Sequence, residues 1–596
     1  MNQHIRAFHP QFSVLSSWFL VLGSWFSVLG SWFLVLGSWF LVLTMIRTTP
    51  ILLLFVFALT TVSPQPPRLS PTPACPRVHH QGPYSLIAML YAAGYECTEE
   101  IARALTPVAD ADILDHLIRL TAPEFHSLTR RNALRVIGRW TEDPQARTVV
   151  LRNAPAIHHR LLTLVQHDPS DDVRADAIWI LDTFFFPAYH AQSAFVAIAL
   201  TPGSGANLRT RATYAVARLI ATRAGPIADD DLAFLLAGLR SDEAGVRARA
   251  ADAIWRLRDD QIDAAARARI TVALEEAWDA ATRLASVETI APAQPAIHAG
   301  RFISGVPETS PGPFAARAAL ARALDRFGGE RFAVLRASFE STHLPVCLER
   351  RLLRICAGSP ALDLDAIAAR LEYLRTVFFE LTGVTDPVPD DPTGMLTIKL
   401  FANRSVFREY MLAFVGFGAD VDGVYVENDG VLYTYRRDAT ESVNTTDETI
   451  AHEFGHYLTG RYLFPGAWHD PGYHAEPKGW IDEGIAEYLA GLDSAGSRAA
   501  LDRLCNRPVP PDLDRLLTQR EGYDRYGVFA YDDAWAFVTF LVQERPSDLR
   551  AIAAAFRANT YRQSDLATII GVPSIAALQE EWHTSLARWC SQRVAR

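Results

Sequence analysis

The sequence predicts an α-helical repeat region followed by a smaller α+β domain, and three observations carry that reading. Within residues 81–360, the stretch from Tyr84 to about Arg283 is rich in Ala, Leu and Arg at helical spacing and repeats a short motif, while Glu288–Phe314, rich in Pro, Gly and Ala, reads as a loop inside the array. Beyond Cys356 the composition shifts to β-rich runs punctuated by turn signals. Two helical stretches in that second region, around His452–His456 and Trp480–Tyr488, concentrate imidazoles and carboxylates. The 596 residues suffice for two or three domains with full cores. A net charge of −10 without any Lys/Arg block argues against a nucleic-acid surface, so nucleic acid is not an expected partner.

The first 80 residues are expected to stand outside both domains. Residues 17–44 are near-identical seven-residue copies, SWFLVLG, SWFSVLG, SWFLVLG and SWFLVLT. A bilayer selects for apolarity and not for the same letters, so 1–44 read as a duplication outside the mature protein, with a membrane anchor as the alternative. From Met45 onward, Arg47, the apolar run Ile51–Leu59 and the small residues Thr60, Thr61 and Ser63 have the layout of a secretory signal over 45–65. A Pro-rich lead, 66–80, follows. The expectation is a secreted protein, extracellular or periplasmic, without stable membrane association once the signal is removed. The six cysteines contain no C-x-x-C pair, and proximity suggests disulfides Cys75–Cys97, Cys347–Cys356 and Cys505–Cys590.

Within 81–360 the run Val173-Arg174-Ala175-Asp176-Ala177-Ile178-Trp179 recurs as Val246 to Trp255 with a small insertion. Related copies begin at Arg130, Leu208 and Arg317. A step of about 35–44 residues resembles HEAT or armadillo helix pairs, which stack into a solenoid with an extended binding surface. An Ala-rich helical bundle is the plainer alternative. Either way the region lacks clustered nucleophiles, acids or metal ligands, so its expected role is binding and not chemistry.

The domain 361–596 opens with an amphipathic helix over Leu362–Leu381, then a strand at Leu396–Phe401 and a helix at Ser405–Val415. Two β-rich runs meet at Asn428-Asp429-Gly430, a hairpin signal. The helix that follows carries His452-Glu453-Phe454-Gly455-His456. Imidazoles four apart lie on one helical face and can share a Zn²⁺, with Glu453 beside it as general base. Thr445 and Thr446 offer N-caps. Thr459 and Tyr462 stand where a metzincin needs Gly and His, which excludes that class. Downstream, Asp482-Glu483-Gly484-Ile485-Ala486 fits the glutamate segment of gluzincins, making Glu483 the third ligand and Glu487, one turn on, an outer partner. Asp482, His469 and His474 are weaker competitors for that place. The fold class is therefore a HEAT/armadillo-like solenoid followed by an α+β thermolysin-like (gluzincin) peptidase domain, with a catalytic core over 395–490 and a helical supporting lobe over 491–596.

The stretch from His452 to Tyr462, then Phe464-Pro465-Gly466-Ala467-Trp468 and Trp480 through Tyr488, resembles the bacterial collagenase family of gluzincins. The hairpin segments Gly423–Glu427 and Leu432–Arg436 resemble that family's edge strand. The resemblance implies a HEAT-like activator domain ahead of the peptidase, a collagen or gelatin substrate, and a calcium-binding role for Glu427. Val421-Asp422-Gly423 departs from the family's Asn-Gly-Gly, which puts substrate approach at Asp422 in question. In the expected reaction Glu453 takes a proton from metal-activated water, and a tyrosine steadies the oxyanion. Tyr531 is the candidate donor, with Tyr523 and Tyr526 as alternatives. The alternatives to a collagenase are a gluzincin peptidase of other proteins and a non-catalytic scaffold with a silent peptidase domain.

Overall fold

The computed structural model describes residues 81–594, with gaps chiefly at 286–311, 417–420, 438–441 and 519–530. The heptapeptide copies, the signal segment, the Pro-rich lead and Cys75 lie outside the described residues, as do His469, Tyr523 and Tyr526.

Each repeated motif falls in one helix: α1 (Ser127–Glu142), α2 (Asp171–Phe184), α3 (Ala206–Thr222), α4 (Ala244–Arg256) and α5 (Pro313–Asp325). These pack each on the next, and each of α2 to α5 also packs on the helix before it, respectively Ala154–His167, Gln192–Leu200, Asp229–Leu239 and Ala264–Ala285. The motif's alanines, among them Ala175, Ala177, Ala248, Ala250 and Ala318, are buried between successive helices. Its arginines reach across the layers. Arg131 meets Asp172 and Asp176 at 2.9 Å, Arg218 meets Asp182 at 3.1 Å, and Arg209 meets Asp242 at 3.1 Å. Most of these pairs touch solvent and are weak for that reason, so burial of the apolar stripe holds the stack.

The sheet has five strands in the order β1-β2-β3-β5-β4. These are β1 (Val346–Glu349), β2 (Leu353–Ala357), β3 (Leu396–Phe401), β4 (Gly423–Val426) and β5 (Val431–Tyr435). β2, β3 and β5 run parallel, while β1 and β4 pair antiparallel at the two edges. β1 and β2 precede the boundary expected at 361, so the sheet begins inside the range read as helical. Both strands are short and arginine-flanked, and Cys347 and Cys356, cross-strand partners, are joined by a disulfide. Cys505 and Cys590 are also bonded, as proximity suggested. Cys97 is disulfide-bonded too, and its expected partner Cys75 is outside the described residues.

Residues of β3 and β5 alternate between two cores. Ile398, Leu400 and Leu432 face the helices of the second domain, α6 (Leu364–Thr382), α7 (Thr446–Tyr462), α8 (Gly479–Gly491) and α9 (Tyr531–Glu544). Phe401, Tyr433 and Tyr435 face the helices Arg331–His343 and Arg404–Tyr410. Lys399 of β3 is buried on that second side, its Nζ 2.6 Å from Glu340 Oε1 and 2.8 Å from Tyr410 Oη. At the hairpin tip Gly430 has φ +60°, the left-handed conformation that the Asn-Asp-Gly signal requires. Among the described residues no helix is long and apolar enough to cross a membrane.

Candidate metal centre

Three elements converge at the edge of the sheet. α7 starts at a capping box, with Thr445 Oγ1 accepting from Glu448 N at 3.1 Å and Glu448 Oε2 accepting from Thr445 N at 2.7 Å. That start sets the helical phase that points His452 and His456 to one side. α8 crosses α7 closely because Gly455 has no side chain: a Cβ there would lie 2.6 Å from Ala486 Cα. Gly484 allows the same between α8 and α9, where an added Cβ would meet Val538 Cγ2 at 2.5 Å and the Ala534 carbonyl at 2.8 Å.

The crossing brings Glu483 up to both imidazoles. His452 Nε2 and His456 Nε2 are 3.2 Å apart, and Glu483 Oε2 lies 3.3 Å from the first and 3.4 Å from the second. Zinc bonds of about 2.0–2.1 Å at tetrahedral angles put neighbouring donors about 3.3 Å apart, so this triangle matches one face of a tetrahedron. Glu483 Oε2 is buried with no hydrogen-bond partner in the protein, as an atom reserved for a metal would be. The donor set fits zinc. Burial would raise the Glu483 carboxyl, but His456 and His452 hold it down at about 2. Burial would likewise lower His452, yet Glu483 and Glu487 lift it to about 10 in the metal-free protein. His456 is also raised, burial being outweighed by Asp482 and Glu483. The pocket is one that demands a cation.

The far nitrogens are oriented by carboxylates. Glu487 Oε1 is 3.4 Å from His452 Nδ1. Asp482 is not in the donor triangle: its Oδ1 lies 3.1 Å from His456 Nδ1 and also accepts from Thr459 Oγ1. Sequence reasoning weighed Asp482 only as a ligand, although metal-bound histidines regularly lean on a carboxylate and the residue before Glu483 was the place to look. His474 lies in a turn with its ring 5.0 Å from that of Tyr473, outside the donor cluster.

Glu453 turns toward the edge strand, where its Oε2 accepts from Tyr425 N at 2.8 Å. This bond ties the carboxylate to β4 and was not legible in the sequence. Tyr531, the first residue of α9, has its ring 6.2 Å from that of His452. At the start of β4, the Asp422 carbonyl accepts from Thr434 Oγ1 at 2.8 Å and from Arg437 Nη2 at 2.6 Å. Arg437 also reaches the Asn444 and Thr445 carbonyls at 3.2 and 3.3 Å, clamping the edge strand to the start of α7.

Residues 362–580 match a family model described as collagenase. That segment belongs to the bacterial collagenase family. It is 39% identical over 104 residues to collagenase ColA of Clostridium perfringens, a stretch that is 17% of this chain and 9% of that one. It is 30% identical over 173 residues to collagenase ColT of Clostridium tetani, 28% of this chain and 16% of that one. A microbial collagenase of Vibrio vulnificus is 22% identical over 210 residues, 34% of this chain and 24% of that one. The chain thus spans under a quarter of the length of these relatives. The collagenase segment contains all the site residues named above.

Glu427 stands apart from the cluster. Both its oxygens accept from the Tyr473 hydroxyl, at 2.8 and 3.0 Å. Lys478 Nζ lies 2.9 Å above the Tyr473 ring. Burial pushes Glu427 up; it pushes Lys478 down to about 7, while Asp482 and Glu427 hold the lysine up. Calcium takes six to eight converging oxygens. Among the described residues one hydroxyl occupies the Glu427 carboxylate and an ammonium stands one phenol ring away, a set that does not fit the calcium ion that the resemblance implied.

Proposed function

We propose that residues 361–596 form a zinc metalloendopeptidase of thermolysin-like, gluzincin build that acts outside the cytoplasm on collagen- or gelatin-like proteins. In this reading His452, His456 and Glu483 hold the metal, and Glu487 and Asp482 orient the two imidazoles. The observation that carries it is the triangle of two imidazole nitrogens and one orphaned carboxylate oxygen at tetrahedral-edge spacing. Residues 81–360 are the HEAT-like activator or binding domain, 45–65 the secretory signal, and 1–44 no part of the mature protein.

A bound zinc would supply Lewis acidity and a more acidic water. Glu453, held by Tyr425 N at 2.8 Å through one oxygen, keeps the other free to take a proton from an attacking water and pass it to the leaving amine. Tyr531, beside His452, donates to the oxygen on which negative charge develops. β4 is the sheet edge along which an extended substrate would lie.

A second reading keeps the peptidase and changes the substrate. It is favoured by the Asp422 carbonyl, which Thr434 and Arg437 already occupy. Cleavage of native collagen, gelatin and casein by the purified protein, with and without a zinc chelator, separates the readings. Chelator-sensitive cleavage of gelatin is expected. Cutting of casein but not gelatin would leave the second reading, and activity indifferent to chelation would remove both.

A further inference from the structure

Lys478 is 3% exposed, which is rare for a lysine without compensating charge. Its Nζ sits 2.9 Å over the Tyr473 ring and 4.5 Å over that of Phe464, contacts that favour a cation. The carboxylates that act on it are Asp482 and Glu427. Both belong to the rear of the metal centre. Asp482 supports His456 Nδ1 at 3.1 Å, and a Cβ on Gly460, one turn beyond His456, would lie 3.4 Å from Glu427 Oε1. Asp482, Glu427 and Glu487 are half-buried and Glu483 is buried, so four carboxylates gather on this side and the double charge of a bound zinc would balance only two of them.

We infer that Lys478 is the built-in second cation of this site: with the Tyr473 hydroxyl it takes the place that calcium would hold at Glu427, so the protein folds and works without calcium. The word "works" rests on the peptidase reading above; the binding half of the inference does not.

The test uses the full chain, zinc-loaded and checked by metal analysis, at pH ~6, below the value of about 7 to which burial lowers Lys478. Calorimetric titration with calcium chloride, and melting with a calcium chelator against ~5 mM calcium chloride, are expected to show no binding and a Tm change under about 1 °C. Hydrolysis of a peptide should change less than about twofold under the same exchange. Lys478→Met, close in length but neutral, should gain a calcium-dependent rise in Tm of about 3 °C or more, and Lys478→Arg should not. Calcium binding to the wild-type protein, or a Tm rise on adding it, would overturn the inference. So would a Lys478→Met variant as indifferent to calcium as the parent. A chain that behaves as expected in binding and melting but hydrolyses nothing would instead count against the peptidase reading.

Discussion

Replacing Gly484 with alanine tests whether helix contacts, and not the motif alone, assemble the metal centre. The new Cβ would stand 2.5 Å from Val538 Cγ2 and 2.8 Å from the Ala534 carbonyl oxygen. Carbon–carbon contact needs about 3.5–4.0 Å, and the backbone carbonyl cannot rotate away, so α8 and α9 must part by about 0.5–1 Å. Overpacking of this kind costs about 1–3 kcal/mol. The same movement carries the neighbouring Glu483, whose Oε2 sits 3.3 and 3.4 Å from the two imidazole nitrogens. Metal–ligand distances tolerate only about ±0.2 Å, so zinc affinity should fall at least about tenfold alongside a Tm lower by several degrees. Thermal melts and competition against a chromogenic zinc chelator measure the two losses together. Gly472→Ala, where an added methyl meets nothing within 4 Å, is the control and should change neither. If Gly484→Ala keeps parental Tm and zinc affinity, the close crossing does not set the site.

Other outcomes follow from the same geometry. Asp482→Asn weakens the support of His456 and should lower zinc affinity about 10–100-fold, read by the same competition, while Asp482→Glu recovers part of it. Tyr531→Phe should cut kcat about 10²–10³-fold with zinc content unchanged, and an unaltered kcat would hand the oxyanion to another donor. Because both imidazoles are raised in the metal-free protein, His452 to about 10, zinc binding near neutral pH should release about two protons, measurable by calorimetry in buffers of different ionisation enthalpy. The sign for stability follows. A histidine raised from 6.5 to about 10 stabilises the metal-free fold fully below about 6.5, and that contribution is lost as pH climbs toward 10. Metal-free protein should therefore melt progressively lower across that window in a pH series of melts.

What the sequence made legible was local. The helix over His452–His456, its Thr445 cap, the Leu396–Phe401 strand and the Asn428–Gly430 turn all depend on spacing or turn chemistry within a few residues. The repeated Arg/Ala motif marked the helices that stack, since each copy carries the same buried face. What it hid depends on contacts distant in the chain. β1 and β2 join the sheet only through pairing with β3, and arginine flanks disguise them. The Tyr425–Glu453 bond, the Arg437 clamp and the Glu427–Tyr473 bond each join residues on different elements, which no local pattern encodes. Asp482 lies between these cases: its place beside Glu483 was visible, but whether it faced the metal or the far side of His456 depended on how α8 crosses α7.

The most direct measurement is hydrolysis of a gelatin-derived peptide by Glu453→Gln protein shown by metal analysis to hold one zinc per chain. The account predicts that zinc stays bound by His452, His456 and Glu483 while hydrolysis falls by about 10²–10⁴-fold. Hydrolysis at the parental rate by that zinc-loaded variant would contradict it.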